Sequence, residues 1–488
     1  MIKKFGKNSG SMLIQTLVFA VISIVIIGAL ISWAGTNIKA SRIGVYREQA
    51  LQISEAGIDY YRWHLAHDHT DYRDGTGTST GPFVHSFYDK DGTMLGTFTL
   101  EITPPPTGST LVKIKSTGKV LSDSSVKRVI SAQLAIPSLA RFAVVANDAM
   151  RFGEGTEIFG PIHANGGVRF DGIAHNVVTS AKDKYDDPDH SGNEEFGVHT
   201  HVRPPPPNSG ITDDSFRIAE APPNPVPNRN DVFQAGRQFP VPAVDFTGFT
   251  SNLSQIKSDA QSGGKYLSAS SAQGYHIVLK TNDTYDLYKV TQLEAVPKNC
   301  TNDLNQDGWG SWSIKNETSQ GNFPLPANGL IFVEDNVWVD GQISTARVTI
   351  ASGRFPDNPS TRTSITVNSN LKYTYFDGQD VIGLIAQNNF NVGMDSLNDI
   401  TIDAALIAQN GRVGRLYYEP QCNPYHQRQT ITLFGIIVSN QRYGFGYSDN
   451  SGYQTRIINY DANLLYAPPP SFPLTSDQYS IVSWDETQ

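Results

Sequence analysis

Three groups of side chains have the types and spacing to do chemistry. Asp303, Asn305 and Asp307-Gly308 set carboxylate and amide oxygens at alternate positions, the first half of a D-x-[DN]-x-[DN]-G calcium loop. Such oxygens converge on one hard cation, and the glycine allows the sharp turn. The twelfth position, where a bidentate glutamate would close the loop, is Ile314, and the nearest later glutamate is Glu317. Two readings stand: a solvated turn rich in Asp and Asn, which the missing ligand favours, and a Ca2+ site. No other cofactor is expected. His163, His175, His190, His199 and His201 make up five of eleven histidines and lie near Asp186, Asp187, Asp189, Glu194 and Glu195. His199-Thr200-His201 would put two imidazoles on one face of a strand, as metal ligation requires. No ligand spacing of a known class is met, so the expectation is an exposed polar loop. Asp395, Asp399 and Asp403 recur every four residues, which on a strand would place them on one side. Glycoside hydrolysis needs two carboxylates about 5–9 Å apart, and spacing alone does not supply that distance. A P-loop and a His-Glu-x-x-His motif are absent. The reading is non-enzymatic.

Only two cysteines occur, Cys300 and Cys422. They are too few for a structural zinc site. In an exported chain such a pair favours a disulfide, whereas in the cytosol both would be free thiols. The formal charge of −9 over 488 residues argues against a general basic face for nucleic acid. With 17% charged and 10% aromatic residues, 42 Gly and 28 Pro, the composition is globular and β-leaning. That length suggests two to four domains.

What must position these groups begins at the start of the chain. Lys3, Lys4 and Lys7 precede Gly10-Ser11-Met12-Leu13-Ile14-Gln15, and no Asp, Glu, Lys or Arg occurs from Gly10 to Ile38. At ~1.5 Å per residue the apolar run from Met12 to Ala34 spans a hydrocarbon core of ~30 Å. The leading lysines favour a cytoplasmic N-terminus. Beyond it, Ala50, Leu51, Ile53, Ala56, Ile58, Tyr61 and Leu65 continue at spacings near three and four, without proline, to His67. One helix of about 85 Å is expected.

A basic leader, then glycine, then an apolar helix resembles the class III leader of type IV pilins and pseudopilins. The stretch from Glu48 to Tyr61, with its Glu55-Ala56-Gly57 step, is similar to the post-membrane segment of PilX-type minor pilins. The resemblance covers about the first 70 residues. It implies a prepilin peptidase cut after Gly10, leaving Ser11 as an N-methylated N-terminus, and assembly with other pilin subunits through the helix. It implies a cell-membrane anchor with the head outside, on the cell surface or a pilus. The family's fifth mature position is usually Glu, which pairs with a neighbour's terminal amine; here it is Gln15, which suits a minor or tip-located subunit. The alternative is a signal-anchored surface protein that binds or cleaves polysaccharide.

Farther along, residues 97–102, 110–115 and 127–136 alternate apolar and polar residues, as in an antiparallel meander with one buried face. A repeat follows: Val145-Ala146-Asn147, His163-Ala164-Asn165, Phe332-Val333-Glu334, Ile385-Ala386-Gln387, Ile407-Ala408-Gln409 and Ile437-Val438-Ser439 each lead into an Asn-, Asp- or Gly-rich corner and another strand. Strand–corner–strand units of irregular spacing fit a right-handed β-solenoid better than a β-sandwich, which stays open. Arg203-Pro204-Pro205-Pro206-Pro207 and Ala221–Pro227 read as extended connectors, residues 249–261 as a helix, and 275–279 with 285–290 as a hairpin. The tail from Tyr460 through Leu464-Leu465, Pro468-Pro469-Pro470 and Phe472-Pro473 resembles that of PilX-like proteins and is expected to run extended. The fold class is thus α+β: leader 1–10, helix 11–67 with membrane part 12–34, small β head 68–137, first solenoid part 138–202, connectors and insertion 203–328, main solenoid part 329–445 and tail 446–488.

Overall fold

The computed structural model describes the chain outside residues 1–8, 106–109, 137, 190–191, 193, 205–211, 247–248, 466, 475–477 and 488, with side chains also omitted at 9–11 and 249–252. Lys3, Lys4, Lys7, His190 and Pro205 to Pro207 therefore lie outside the described residues. Helix α1 (Ser9–His67) runs unbroken for 59 residues, about 88 Å. Its first half is apolar and exposed throughout, Met12 at 73% and Ile31 at 68%. Two threonines there turn their hydroxyls back onto the helix: Thr16 Oγ1 donates to Met12 and Leu13 carbonyls at 3.1 and 2.9 Å, and Thr36 Oγ1 to the Ser32 carbonyl at 2.9 Å. A helix whose backbone groups are bonded internally, with threonine hydroxyls turned back onto it, suits a hydrocarbon environment. The helix is long and apolar enough to cross a membrane.

Residues 1–104, 112–135 and 478–488 form one unit, and residues 105–111 with 136–477 a second. In the first, Ala50, Ile53, Ile58, Tyr61 and Leu65 of α1 are buried by an antiparallel sheet of β1 (Phe83–Tyr88), β2 (Met94–Thr103), β3 (Val112–Val120) and β4 (Asp123–Ala135). A fifth strand, Ser480–Thr487, pairs antiparallel with β4. The segment read as an extended tail therefore leads into this sheet, and residues 136–477 of the second unit are inserted between β4 and its neighbour. Two glycines let helix and sheet backbones close up: a Cβ on Gly118 of β3 would collide with the Ala50 carbonyl and the Ser54 amide, and one on Gly57 with Ser116 Oγ.

The second unit is built on parallel ladders. Ten strands pair in this order: Lys265–Leu267, Leu330–Val333, Arg347–Ser352, Val381–Ala386, Asp399–Ala408, Gln427–Ser439, Val144–Ala146, Ile162–Ala164, Val178–Ser180 and Arg237–Gln238. Each of the six sequence repeats sits where a strand of this ladder turns its corner. A second ladder follows those corners, through Gly274–Leu279, Val337–Gln342, Ile365–Thr366, Phe390–Val392 and Val413–Arg415. Met150–Phe152, Val168–Phe170 and Val198–His199 form a separate parallel set. A third ladder joins the ends of the long strands to Gly452–Tyr460, Thr156–Phe159 and Ile173–Ala174.

Stacking order departs from chain order. The strand Gln427–Ser439 pairs with Val144–Ala146, so the latest coils dock on the earliest. At this seam Asn147 Nδ2 donates to Asn440 Oδ1 at 3.1 Å and Asn165 Nδ2 to Asn147 Oδ1 at 2.8 Å. The row continues as Asn440 Nδ2 donates to the Asn410 carbonyl at 3.3 Å and Asn410 Nδ2 to the Gln387 carbonyl at 2.7 Å. Both faces of the first ladder are apolar, hence the unbroken run from Val381 to Ala386, buried at every residue. Ile382, Leu384, Leu406 and Ile437 face an inner core, while Val381, Ile385, Ile407 and Val438 face an outer one. The outer face is covered by Leu253, Ile256 and Ala260 of helix α2 (Phe249–Gly263), with Val244, Leu464 and Phe472. Residues 239–264 thus carry the chain from one end of the ten-strand ladder to the other, roughly 43 Å at ~4.8 Å per strand.

The glycine contacts yield a paired test. Gly118→Val should destabilise the protein by about 1–3 kcal/mol through forced separation of helix and sheet. Gly44→Ala, with nothing within 4 Å of its Cβ, should be neutral or stabilising by up to ~1 kcal/mol. Thermal unfolding in detergent reads both, and equal effects would disprove the close-approach argument.

Candidate functional site

The residues singled out from the sequence form five groups, placed as follows. Gly10 and Ser11 lie in the first turns of α1, and Gln15 is exposed on it. Cys300 and Cys422 are joined by a disulfide, packed with Met394, Leu416 and Tyr418. It ties the insertion to the segment after strand Val413–Arg415. Beside it, Arg415 is fully buried and donates to the carbonyls of Gly393, Met394 and Tyr425, the last two at 2.9 and 2.6 Å. Its guanidinium also lies 4.8 Å from the Tyr418 ring centroid.

Asp303, Asn305 and Asp307 are exposed, and Asn305 and Gly308 adopt left-handed backbone, with φ of 49° and 72°. Spacing located no acid at the loop's twelfth position. The fold brings in Glu419 instead, which accepts from Asp303 N–H at 3.0 Å and Thr301 Oγ1 at 2.7 Å. Its hydrogen bond and charge push the Asp303 carboxyl upward. Sequence reasoning could not find Glu419, which is 116 residues from Asp303 and reaches it only through the fold.

The three spaced aspartates do not line one face. Asp395 lies outside the strand, 3.7 Å from Arg428, and Asp399 is exposed at the strand start. Asp403 is buried and accepts from Tyr373 N–H at 3.0 Å. Burial raises its carboxyl to about 6, against the hydrogen bond from Tyr373. A Gly-x-Ser-x-Gly spacing does occur at Gly77–Gly81, in a loop between helix and strand, where Ser79 Oγ accepts from Gly81 N–H at 3.2 Å. A nucleophile elbow needs a strand before it and a helix after it.

The histidine stretch is not an exposed loop. His163, His199 and His201 are buried, as are Asp187 and Glu195. His163 bonds Thr179 Oγ1 and Asn165 Oδ1 at 3.0 and 3.1 Å, and burial lowers its pKa. His175 spans Gln234 and Glu157, both at 2.9 Å, and stacks on Phe159. His199 and His201 lie with Asp187 in one buried group. The stretch turns inward because Val198–His199 pairs with Val168–Arg169 and so becomes a strand of the stack.

At the seam lies a cleft of about 630 Å³. Arg151, Arg412, Arg442 and Arg456 line it, with Tyr443 and Tyr447. Arg151 and Arg442 donate to Asp189, at 3.2 and 3.0 Å. Arg412 is held by the Gly444 carbonyl at 3.0 Å and Tyr447 Oη at 3.3 Å. Arg456 is held by Thr156 Oγ1 at 2.9 Å and by the Tyr453, Gln454 and Glu154 carbonyls. Glu154, Asp171 and Asp189 line the cleft as well, so its guanidinium groups meet acceptors of the protein itself and the lining is polar with both signs of charge.

No family model and no curated protein matches the chain. Among solved structures, it aligns with the competence-associated pilin ComZ from Thermus thermophilus. Identity is 13% and the TM-score 0.27, over 91% of this chain and 98% of that one. A superposition that loose carries no argument. The functional reading rests on this chain's own helix, sheet and cleft.

Two outcomes follow from these groups. Replacing both Cys300 and Cys422 by Ser opens a loop with a sequence separation of 122 and should cost about 2–4 kcal/mol in denaturant unfolding; an unchanged midpoint would show the bridge to be dispensable. A carboxyl raised in the folded state stabilises below its unfolded pKa of ~3.9, and that stability is lost as pH rises through about 6. Asp403→Asn should therefore leave stability nearly unchanged at pH 4 and raise it by roughly 2–3 kcal/mol at pH 7. A gain independent of pH would remove the assigned cause.

Proposed function

We propose that the chain is a non-enzymatic, membrane-anchored subunit of a type IV pilus-related filament, with a β-solenoid head presented outside the cell for adhesion or assembly. The observation that carries this is α1 itself: one helix whose first half is apolar and exposed and whose second half packs on a small antiparallel sheet. Such a helix serves in the membrane before assembly and between subunits afterwards, since both surroundings are apolar. In this reading the prepilin peptidase cuts after Gly10, Ser11 becomes the N-terminus, and neighbouring subunits pack against residues 12–34. Gln15 accepts a hydrogen bond but makes no ion pair with a neighbour's amine, which fits a few copies at a filament end. Calcium at Asp303, Asn305 and Asp307 would stiffen the head and is not needed for anchoring.

The polar cleft supports one variation, a head that binds or cleaves a surface polysaccharide. It fits either a pilus subunit or a simple signal-anchored protein, and processing separates the two. Mass spectrometry of the mature protein should find Ser11, methylated, at the N-terminus, and Gly10→Leu should retain the leader and abolish surface display. A parent protein that keeps Met1, or a Gly10→Leu variant displayed as well as the parent, would refute the pilin reading.

A further inference from the structure

We propose that Asp187, His199 and His201 form a binding site for one divalent transition-metal ion of the zinc class. Each offers a ligand atom, these atoms all lie within 4.8 Å of one another, and the three residues are 2%, 0% and 0% exposed. Zinc takes nitrogen and carboxylate oxygen at about 2.0–2.2 Å, so tetrahedral ligand atoms stand roughly 3.3 Å apart. Shifts of about 1 Å bring the group to that geometry.

Two independent features point to a cation. Both ring nitrogens of His199 are buried without a hydrogen-bond partner, and Nε2 stands 3.6 Å from Asp187 Oδ2. Buried imidazoles normally bond through at least one nitrogen, because water has been stripped from both. The second feature is His201, whose Nδ1 lies 2.9 Å from Asp214 Oδ1. Donation of Nδ1–H to a carboxylate fixes the tautomer that keeps a lone pair on Nε2, the outer partner that metal-bound histidines characteristically have.

The charges around the group leave room for a cation. Arg169 bonds Asp171 at 2.7 Å and lies 3.7 Å from Asp187 and 3.8 Å from Asp214. Arg151 and Arg442 are engaged by Asp189. Asp171, Asp187, Asp189 and Asp214 thus face Arg151, Arg169 and Arg442, and the balance stays negative. A closed network of ion pairs would account for Arg169 and Asp187. It would hold His199 only at the 3.6 Å approach to Asp187 and leave both ring nitrogens short of a hydrogen bond, and that shortfall decides for the metal.

An ion here would tie the segment carrying Asp187 to Val198–His199, an outer strand of its three-stranded set. The site stands beside the arginine cleft, which Asp171 and Asp189 also line. The inference is independent of how the chain is anchored.

The test uses the full chain in detergent, stripped with chelator, loaded with zinc chloride and freed of excess by gel filtration. The parent should retain one equivalent of zinc. His199→Ala and Asp187→Asn should each retain a tenth or less, and His175→Ala should match the parent. A parent without zinc, or a His199→Ala variant that holds as much as the parent, overturns the proposal. Because either variant could unfold, zinc-edge X-ray absorption on the loaded parent supplies a reading that needs no substitution. Two imidazole shells with oxygen support the site, and an all-oxygen shell overturns it.

Discussion

The large unit depends on one joint, the parallel pairing of strand Gln427–Ser439 with Val144–Ala146. A strand in the middle of a parallel stack needs neighbours on both sides, because unpaired amides and carbonyls buried there cost as much as lost hydrogen bonds. Without this joint the early coils and the late coils would each end on a bare edge. The side-chain row Asn165, Asn147, Asn440, Asn410 crosses the same joint and repeats its bonds from coil to coil. The corner repeat therefore does more than turn the chain. It supplies the amides that hold one coil to the next.

That dependence explains what was legible in the sequence. The corners were legible because each needs the same thing, small apolar residues inside and an amide or glycine at the bend. The meander was legible because its strands alternate, with β3 buried at every second residue. Stacking order was not, since equivalent coils present equivalent edges and nothing local states which edge meets which. Ser480–Thr487 was missed because it pairs on one side only and most of its residues stay exposed or half exposed, leaving no apolar stripe. The histidine stretch misled for the opposite reason: its polar residues are buried, and polar composition reads as surface. Of the candidate sites, Asp303 and the cysteines could be named, but Glu419 and the four arginines of the cleft come together only through the fold.

Charge in this unit is handled by backbone as much as by counter-charge. Arg415 is enclosed and met by carbonyls, and burial lowers its pKa without displacing its proton at physiological pH. Arg347 likewise donates to the carbonyls of Gly378, Ala467 and Pro468. Carbonyl oxygens stay acceptors at every pH, so these arginines hold their places where an aspartate partner would titrate away. The proline-rich segment near the C-terminus is thereby fastened by its oxygens, which proline retains although it lacks an N–H.

The insertion of the second unit between β4 and Ser480–Thr487 sets an order of events for a chain made from one end. The small sheet lacks its fifth strand until nearly all of the chain has been delivered, and the first three coils lack their neighbour until residue 439 has emerged. Contacts this distant in sequence form slowly. During that interval the Val144–Ala146 edge is open, and it is a template for any other strand. Closure of the large unit late, once residue 439 is available, rather than coil by coil from its first strand, is the regime such a topology demands.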